Sequence, residues 1–495
     1  MMIRGFISVF SILLLSACQP GGPSSQGESS SKAICASSVK QAEFIGASKF
    51  DSDEVAGLTT PNLTGSEREL TVLMKTGCRA PGHLSSQLTS AESKNPSGAN
   101  SYKISLPAGA TAEEFNKKVL NDPCVLHVAA AGRLQADSAF ESIVVSDPLA
   151  ATQNHLKSIH SDIGYAAIAN AMSTLSTASR PKPVVIAIID TGIDLEHEDL
   201  KQNLWVNHGE IPANGIDDDR NGYIDDVYGY NFASRVPSPQ YEGNQPHGTH
   251  VAGLAAARAS NGVGGAGVMG FAKIMTLNVF GKNTDGAYDS DIENAIRYAA
   301  DNGADVINMS LGGTGRSNGF LPALKYAIAK GVTILSAAGN GHSQLSDGYF
   351  VSPGSFSSQL PGMLAVASTD LNDQISSYSN FSSSLVKLAT AGAESSYRGI
   401  GLLSTLPGNK YGRMMGTSMA TPVASGAAAL AIFLMRAKGY TPKPSWVEAV
   451  LTSSARSVSS LESKVIGGRV MDIGRLVKTI DENYPVNGSA EVSCP

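Results

Sequence analysis

From Asp147 onward the apolar residues come in short continuous runs. Val184 to Ile189 is one such β-branched run, and Ile274 to Val279, Val306 to Met309, Val332 to Ser336 and Leu364 to Ala367 repeat it. A strand apolar on both sides of its pleat is buried on both faces, so these segments predict a parallel sheet covered on each side. Ser290 to Asn302, Pro322 to Lys330 and Ser445 to Ser453 predict the covering helices. Strand and helix in alternation give an α/β domain of three layers. Met419 to Met435 is apolar all round, yet it is slightly short for a bilayer and contains Thr421, Pro422 and Ser425, so it is read as a buried core helix. The stretch from Ala33 to Ser146 differs. Its pieces (Glu69 to Lys75, Tyr102 to Leu106, a helix over Ala112 to Leu120, Cys124 to Ala129) predict a small α+β unit ahead of the larger domain.

A chain of 495 residues accommodates that division. Lys and Arg number 37 against 43 Asp and Glu, a net charge of −6 with no basic cluster, which argues against nucleic acid as a partner. At the start, Arg4, the apolar run Phe6 to Leu15 and the small pair Ser16-Ala17 form an export signal over residues 1–17. Leu15-Ser16-Ala17-Cys18 resembles a bacterial lipobox, which would make Cys18 a lipid-modified membrane anchor; the plain alternative is an ordinary cut near Ala17. Gln19 to Lys32, rich in Gly, Ser and Pro, has the composition of a flexible tether, and residues 18–34 are assigned to it. Cys35, Cys78, Cys124 and Cys494 remain, an even number that allows two disulfides in three connectivities or four free thiols.

Three segments carry chemistry. Asp190-Thr191-Gly192 follows the run Val184 to Ile189, which places a carboxylate at the C-terminal end of a strand, where open α/β sheets build their sites. His247-Gly248-Thr249-His250-Val251-Ala252-Gly253 opens a helix. Gly416-Thr417-Ser418-Met419-Ala420-Thr421-Pro422 sets Ser418 at the N-terminus of the long apolar helix, which favours developing negative charge. A serine hydroxyl needs a base to take its proton, histidine titrates near neutrality, and a buried carboxylate fixes the imidazole tautomer. His247 and His250 also suggest a metal pair, but no Glu follows the first His as in zinc proteases; His250 is read as a packed structural residue.

In these blocks, and in their Asp, His, Ser order, the sequence resembles the subtilase family of serine proteases from about Asp147 to Val477. The resemblance implies an endopeptidase with Asp190, His247 and Ser418 as its triad and a three-layer fold. It implies that the strand through Ser310, Leu311, Gly312 and Gly313 pairs with substrate backbone. It further implies that Ser310 to Gly313 and Ala337 to Gly341, with Ala338 and Gly339 among them, line the specificity pocket and that Asn340 donates to the oxyanion. Uncharged small walls predict acceptance of large apolar or aromatic side chains. An inactive binding protein on the same scaffold is the competing class, although no triad member is missing.

Asn214 to Asp226 crowds five carboxylates into one loop, a repulsive arrangement unless a cation binds. Asp217, Asp219 and Asn221 alternate ahead of Gly222 as in the first half of an EF-hand, but Tyr228 stands where the closing Glu belongs. A calcium site using Asp217, Asp219, Asn221, Asp225 and Asp226 is expected, with a merely solvated loop as the alternative. Asp199 and the loop near Asn261 resemble parts of a second calcium site of the family. By the same resemblance residues 35–145 look like a propeptide that inhibits the enzyme, removed between Leu134 and Ser146, with residues 146–495 as the catalytic domain. A permanent accessory domain is the alternative. The expected partners are protein or peptide substrates, the chain's own propeptide and a membrane reached through the anchor. A Cys35 to Cys494 bridge, beside Cys78 to Cys124, would tie the two parts together after cleavage.

Overall fold

The computed structural model describes residues 145–486, apart from 177–178, 283–285 and 393–400, together with four strands between Glu69 and Ala130. Cys18, Cys35, Cys78, Cys124, Cys494, the signal and tether, the helix expected over Ala112 to Leu120 and nearly all of the cleavage interval lie outside the described residues. The described residues fall into two units, the four strands forming one and residues 145–486 the other.

In the first unit β1 (Glu69–Met74), β2 (Ser93–Lys94), β3 (Asn100–Ser105) and β4 (Val125–Ala130) form an antiparallel sheet in the order β2-β3-β1-β4. Central β1 sets Val72 opposite Tyr102 on one side and Val128 on the other.

The second unit is built on β5 (Val185–Asp190), β6 (Gly229–Asn231), β7 (Lys273–Asn278) and β8 (Val306–Met309). It continues through β9 (Gly313–Thr314), β10 (Thr333–Ala337), β11 (Val351–Ser352), β12 (Met363–Thr369) and β13 (Leu388–Ala391). A hairpin of β14 (Leu402–Leu406) and β15 (Lys410–Met414) and the edge strands β16 (Arg456–Ser457) and β17 (Arg469–Val470) complete it. The main sheet runs β16-β17-β13-β12-β10-β8-β5-β7-β6, parallel throughout except for the edge pair β16–β17.

The helices are α1 (Asn154–Ser158), α2 (Ser161–Thr174), α3 (His247–Ala256), α4 (Asp289–Asp301), α5 (Phe320–Ala329), α6 (Thr417–Ala437), α7 (Pro444–Ser453) and α8 (Ile473–Asn483). Successive residues of β5 serve opposite faces of the sheet. Ile186 and Ile188 pack with Val251, Leu254 and the body of α6, whereas Ala187 and Ile189 pack with Ile292, Ile296 and Leu324 of α4 and α5. Each fully buried isoleucine of that pattern contributes about 1.5–3 kcal/mol of transfer free energy. Helix α6 is long and apolar enough to cross a membrane, yet 94% of its apolar window is buried inside the fold, so it is a core helix.

Candidate active site

Asp190 ends β5 at the C-terminal edge of the sheet and is 1% exposed. Its Oδ1 accepts hydrogen bonds from Thr191 N at 2.8 Å and from His247 Nδ1 at 2.8 Å. His247 is the first residue of α3, and the next, Gly248, lies so close to the carboxylate that a Cβ there would stand 2.2 Å from Gly192 O and 3.2 Å from Asp190 Oδ1. Burial alone would lower the His247 pKa, but the charge of Asp190 and its hydrogen bond outweigh that and raise it above 6.5. With Nδ1–H given to Asp190, Nε2 is left as the basic nitrogen.

The hairpin β14–β15 fastens α3 from outside. Ser404 Oγ donates to His250 O and Thr405 Oγ1 to Thr249 O, both at 2.7 Å. A Cβ on Gly253 would meet these hydroxyls at 2.3 and 2.2 Å, so glycine is required for the approach. His250 Nε2 donates to Leu402 O at 3.0 Å, and burial pushes its pKa down to about 4. The imidazole is thus neutral and structural.

Ser418 lies in the first turn of α6, where helix N–H groups have no carbonyl one turn earlier to pair with. Pro422 has no N–H to offer the Ser418 carbonyl; Ser310 Oγ fills that place at 2.8 Å, so the turn that holds Ser418 is tied to the segment after β8. Among the described residues Ser418 Oγ donates to Ser310 O at 3.1 Å and not to His247, which marks a resting rotamer. Asn340, just beyond β10, has its amide orientation fixed because Oδ1 accepts from both Thr417 N and Thr417 Oγ1 at 2.9 Å. Its Nδ2 then faces the backbone at Gly416, where a Cβ would stand 3.4 Å away. The Gly-Thr-Ser spacing was the signal for Thr417's role, and the sequence reading did not use it.

A cleft of about 810 Å³ contains His247, Ser418 and Asn340, with Ser310, Leu311, Gly312 and Gly313 on one wall and Ala337 and Gly339 on the other. Ala338 turns its side chain into the core instead. Two charged residues that the sequence reading did not place here, Asp289 and Arg316, also line it.

The acidic loop is arranged differently from the expected ligand set. Glu210, Asp219 and Asp226 offer oxygens within 4.8 Å of one another, and Glu210 and Asp226 are buried. Asp217 and Asp225 lie outside this group and accept loop N–H groups, Asn221 N and Gly222 N for the first and Asn214 N and Gly215 N for the second; Glu210 likewise accepts from Asp218 N, Asp219 N and Asp225 N. Asn221 Nδ2 bridges Asp219 Oδ2 and Asp226 Oδ2 at 3.1 and 2.9 Å. Burial raises the Asp226 pKa against hydrogen bonds from Tyr298, Asn221 and Asn207 that lower it. Three clustered carboxylates form a possible metal site whose all-oxygen donors suit a hard cation. Glu210 lies outside the crowded motif that the sequence singles out. Asp199 and Asn261 do come together, Asn261 Nδ2 donating to Asp199 Oδ1 at 2.9 Å.

The sequence profile described as the Subtilase family matches residues 182–469. The chain is similar to thermitase of Thermoactinomyces vulgaris, 34% identical over 58% of this chain and 85% of that protein. It is also similar to a thermophilic serine proteinase of Bacillus sp. strain AK1, at 36% identity over 50% of this chain and 51% of that protein, so it spans about half of that relative. A solved protease from Pseudoalteromonas arctica is 30% identical, with a TM-score of 0.50 over 68% of this chain and 99% of that one.

Proposed function

This chain belongs to the subtilase family of serine endopeptidases, and from that premise we propose that it hydrolyses peptide bonds through an acyl-enzyme on Ser418. The observation that carries the reading is the bond between His247 and the buried Asp190 at the mouth of a cleft that also holds Ser418 and Asn340. Rotation of the Ser418 side chain away from Ser310 O brings Oγ to His247 Nε2. That nitrogen takes the proton as Oγ bonds to the scissile carbonyl carbon, and Asp190 stabilises the imidazolium. The carbonyl oxygen, now an anion, is met by Asn340 Nδ2 and Ser418 N. His247 then returns the proton to the leaving amine, and water repeats the sequence to free Ser418. The segment Ser310 to Gly313 pairs with the extended substrate backbone, which favours peptides over simple esters.

The finer assignments belong to the same proposal. Calcium is held by Glu210, Asp219 and Asp226, with Asp217, Asn221 and Asp225 shaping the loop around it. The enzyme is exported, anchored through Cys18 in the bacterial envelope, and made with residues 35–145 as an inhibitory propeptide. The test is labelling of wild-type protein and Ser418→Ala with a fluorophosphonate, read by fragment mass. Label on a fragment that begins near Ser146, absent from the variant, is expected. Label on the uncut chain would make the N-terminal region a permanent accessory, and no label on the folded protein would end the peptidase reading.

A further inference from the structure

Asn340 meets an oxyanion only if the backbone that carries it stands still, and that backbone belongs to no regular element. It lies past the end of β10, in a loop where Gly339 has a φ of 97° and His342 a φ of 49°, both left-handed. Such a loop has to be held from outside. Thr417 fixes the Asn340 side chain but takes only one backbone group of the loop, accepting from Gly339 N at 3.2 Å. Four others are held by Asn380, which is 1% exposed. Its own N–H donates to Gly339 O at 2.8 Å, its Oδ1 accepts from Gly341 N at 3.0 Å and Ser343 N at 2.9 Å, and its Nδ2 donates to Ala338 O at 2.9 Å. Two N–H donors on one side-chain atom and a carbonyl on the other leave a single orientation for this amide. We infer that Asn380 is a positioning residue of the peptidase: it clasps the loop on both sides of Asn340 and acts through Asn340 on the oxyanion.

The clasp is itself fastened to the main sheet. Ser379 Oγ accepts from Ser368 N, in β12, at 3.0 Å and donates to Asn380 O at 2.9 Å. The fit is close as well, since a Cβ on Gly339 would stand 2.6 Å from Asn380 Nδ2. Asn380 lies behind the loop and does not line the cleft, so it touches neither substrate nor the reacting atoms. Truncation to alanine would leave Gly341 N, Ser343 N and Ala338 O without these partners, and the loop would shift to find others. Gly341 is exposed, so water reaches its N–H and the fold survives the loss. The loop would then carry Asn340 in more than one place, and a displacement of about 1 Å at a group that meets the transition state costs about 10²-fold in rate.

The inference rests on the peptidase reading, and the test separates the two. Wild-type protein, Asn340→Ala, Asn380→Ala and the double variant are each melted, labelled with a fluorophosphonate and assayed on succinyl-Ala-Ala-Pro-Phe p-nitroanilide. Asn380→Ala is expected to melt cooperatively, to be labelled, and to lower kcat by about 10–10²-fold with KM little changed, within the limit set by loss of Asn340 itself. In the Asn340→Ala background the same substitution is expected to lower kcat by no more than about threefold, because a group that acts through another has nothing left to act on. A loss as large in that background as in wild type, an unchanged kcat in folded Asn380→Ala, or a change confined to KM overturns the role of Asn380. If Asn380→Ala does not melt cooperatively, Asn380→Ser takes its place in the same four-way comparison. Failure of both to fold makes Asn380 a residue of the fold and not of the site, and overturns the inference. Absence of label on folded wild type overturns the peptidase reading beneath it.

Discussion

The cleft and the acidic loop both gather charged or reactive side chains, but by opposite means. In the cleft each group stands at the end of a regular element whose body is buried: Asp190 on β5, His247 on α3, Ser418 on α6, Asn340 after β10. Buried apolar packing behind these elements holds the four side chains in place. In the loop, residues 207–226 contain no helix or strand, and the shape is held by carboxylates capping backbone N–H groups, such as Glu210 Oε1 accepting from Asp218 N at 2.9 Å. There the functional atoms and the structural atoms are the same atoms. Substitutions in the cleft should therefore alter chemistry and leave stability, whereas substitutions in the loop should show themselves as changes in stability.

Asp190→Asn sharpens the first half of that contrast most strongly. Fold and melting temperature should survive, while kcat falls by about 10⁴, the scale measured when the acid of a serine-protease triad is neutralised. The pH profile should move as well. His247 must be neutral to act as base, and Asp190 raises its pKa, so wild-type kcat/KM is lost as pH falls through a value above 6.5. In Asp190→Asn the residual activity should persist to lower pH; an unmoved acid limb would remove Asp190 from this role. Asn340→Ala should lower kcat by about 10²–10³ with little change in KM, a magnitude known from subtilisin itself. A change confined to KM would mean that Asn340 binds substrate and not the oxyanion. The loop supplies the smaller effects, read as melting temperature with calcium and with chelator. Glu210→Gln should abolish the calcium-dependent rise, whereas Asp217→Asn should lower both melting temperatures by several degrees and keep the difference between them. The reverse pattern would return Asp217 to the ligand set.

The same contrast explains what could be read from the sequence. Asp190, His247 and Ser418 were legible because each motif sits at a strand end or helix start that the apolar pattern marks. The core strands were found to within a residue or two for the same reason. The pattern fails where burial comes from distant partners. Leu388 to Ala391 is a sheet strand only four residues long, with Thr390 inside it, and nothing local marks it. The hairpin strand that clamps α3 reads Leu402-Leu403-Ser404-Thr405-Leu406, with no alternation, because two adjacent hydroxyls, Ser404 and Thr405, both meet helix carbonyls. Helix α8 was legible and overlooked, since Ile473, Leu476, Val477 and Ile480 keep helical spacing. In the loop, composition marked an acidic cluster but could not choose which carboxylates meet, because Glu210 lies outside the acidic run and only the folded loop brings its oxygens beside those of Asp219 and Asp226.

The tie between Ser310 and the Ser418 carbonyl joins residues 108 positions apart, and the bond from His247 to Asp190 spans 57. In the language of folding, these are late contacts. Closing such long loops costs chain entropy before any reward is collected, and parallel sheets dominated by distant pairings assemble slowly. The elements that carry Asp190, His247 and Ser418 must all be in place before the three can meet, and α6, which holds Ser418, comes after seven of the nine strands of the main sheet in the chain. A chain cut short before α6 therefore lacks Ser418 however much of the sheet it has already formed.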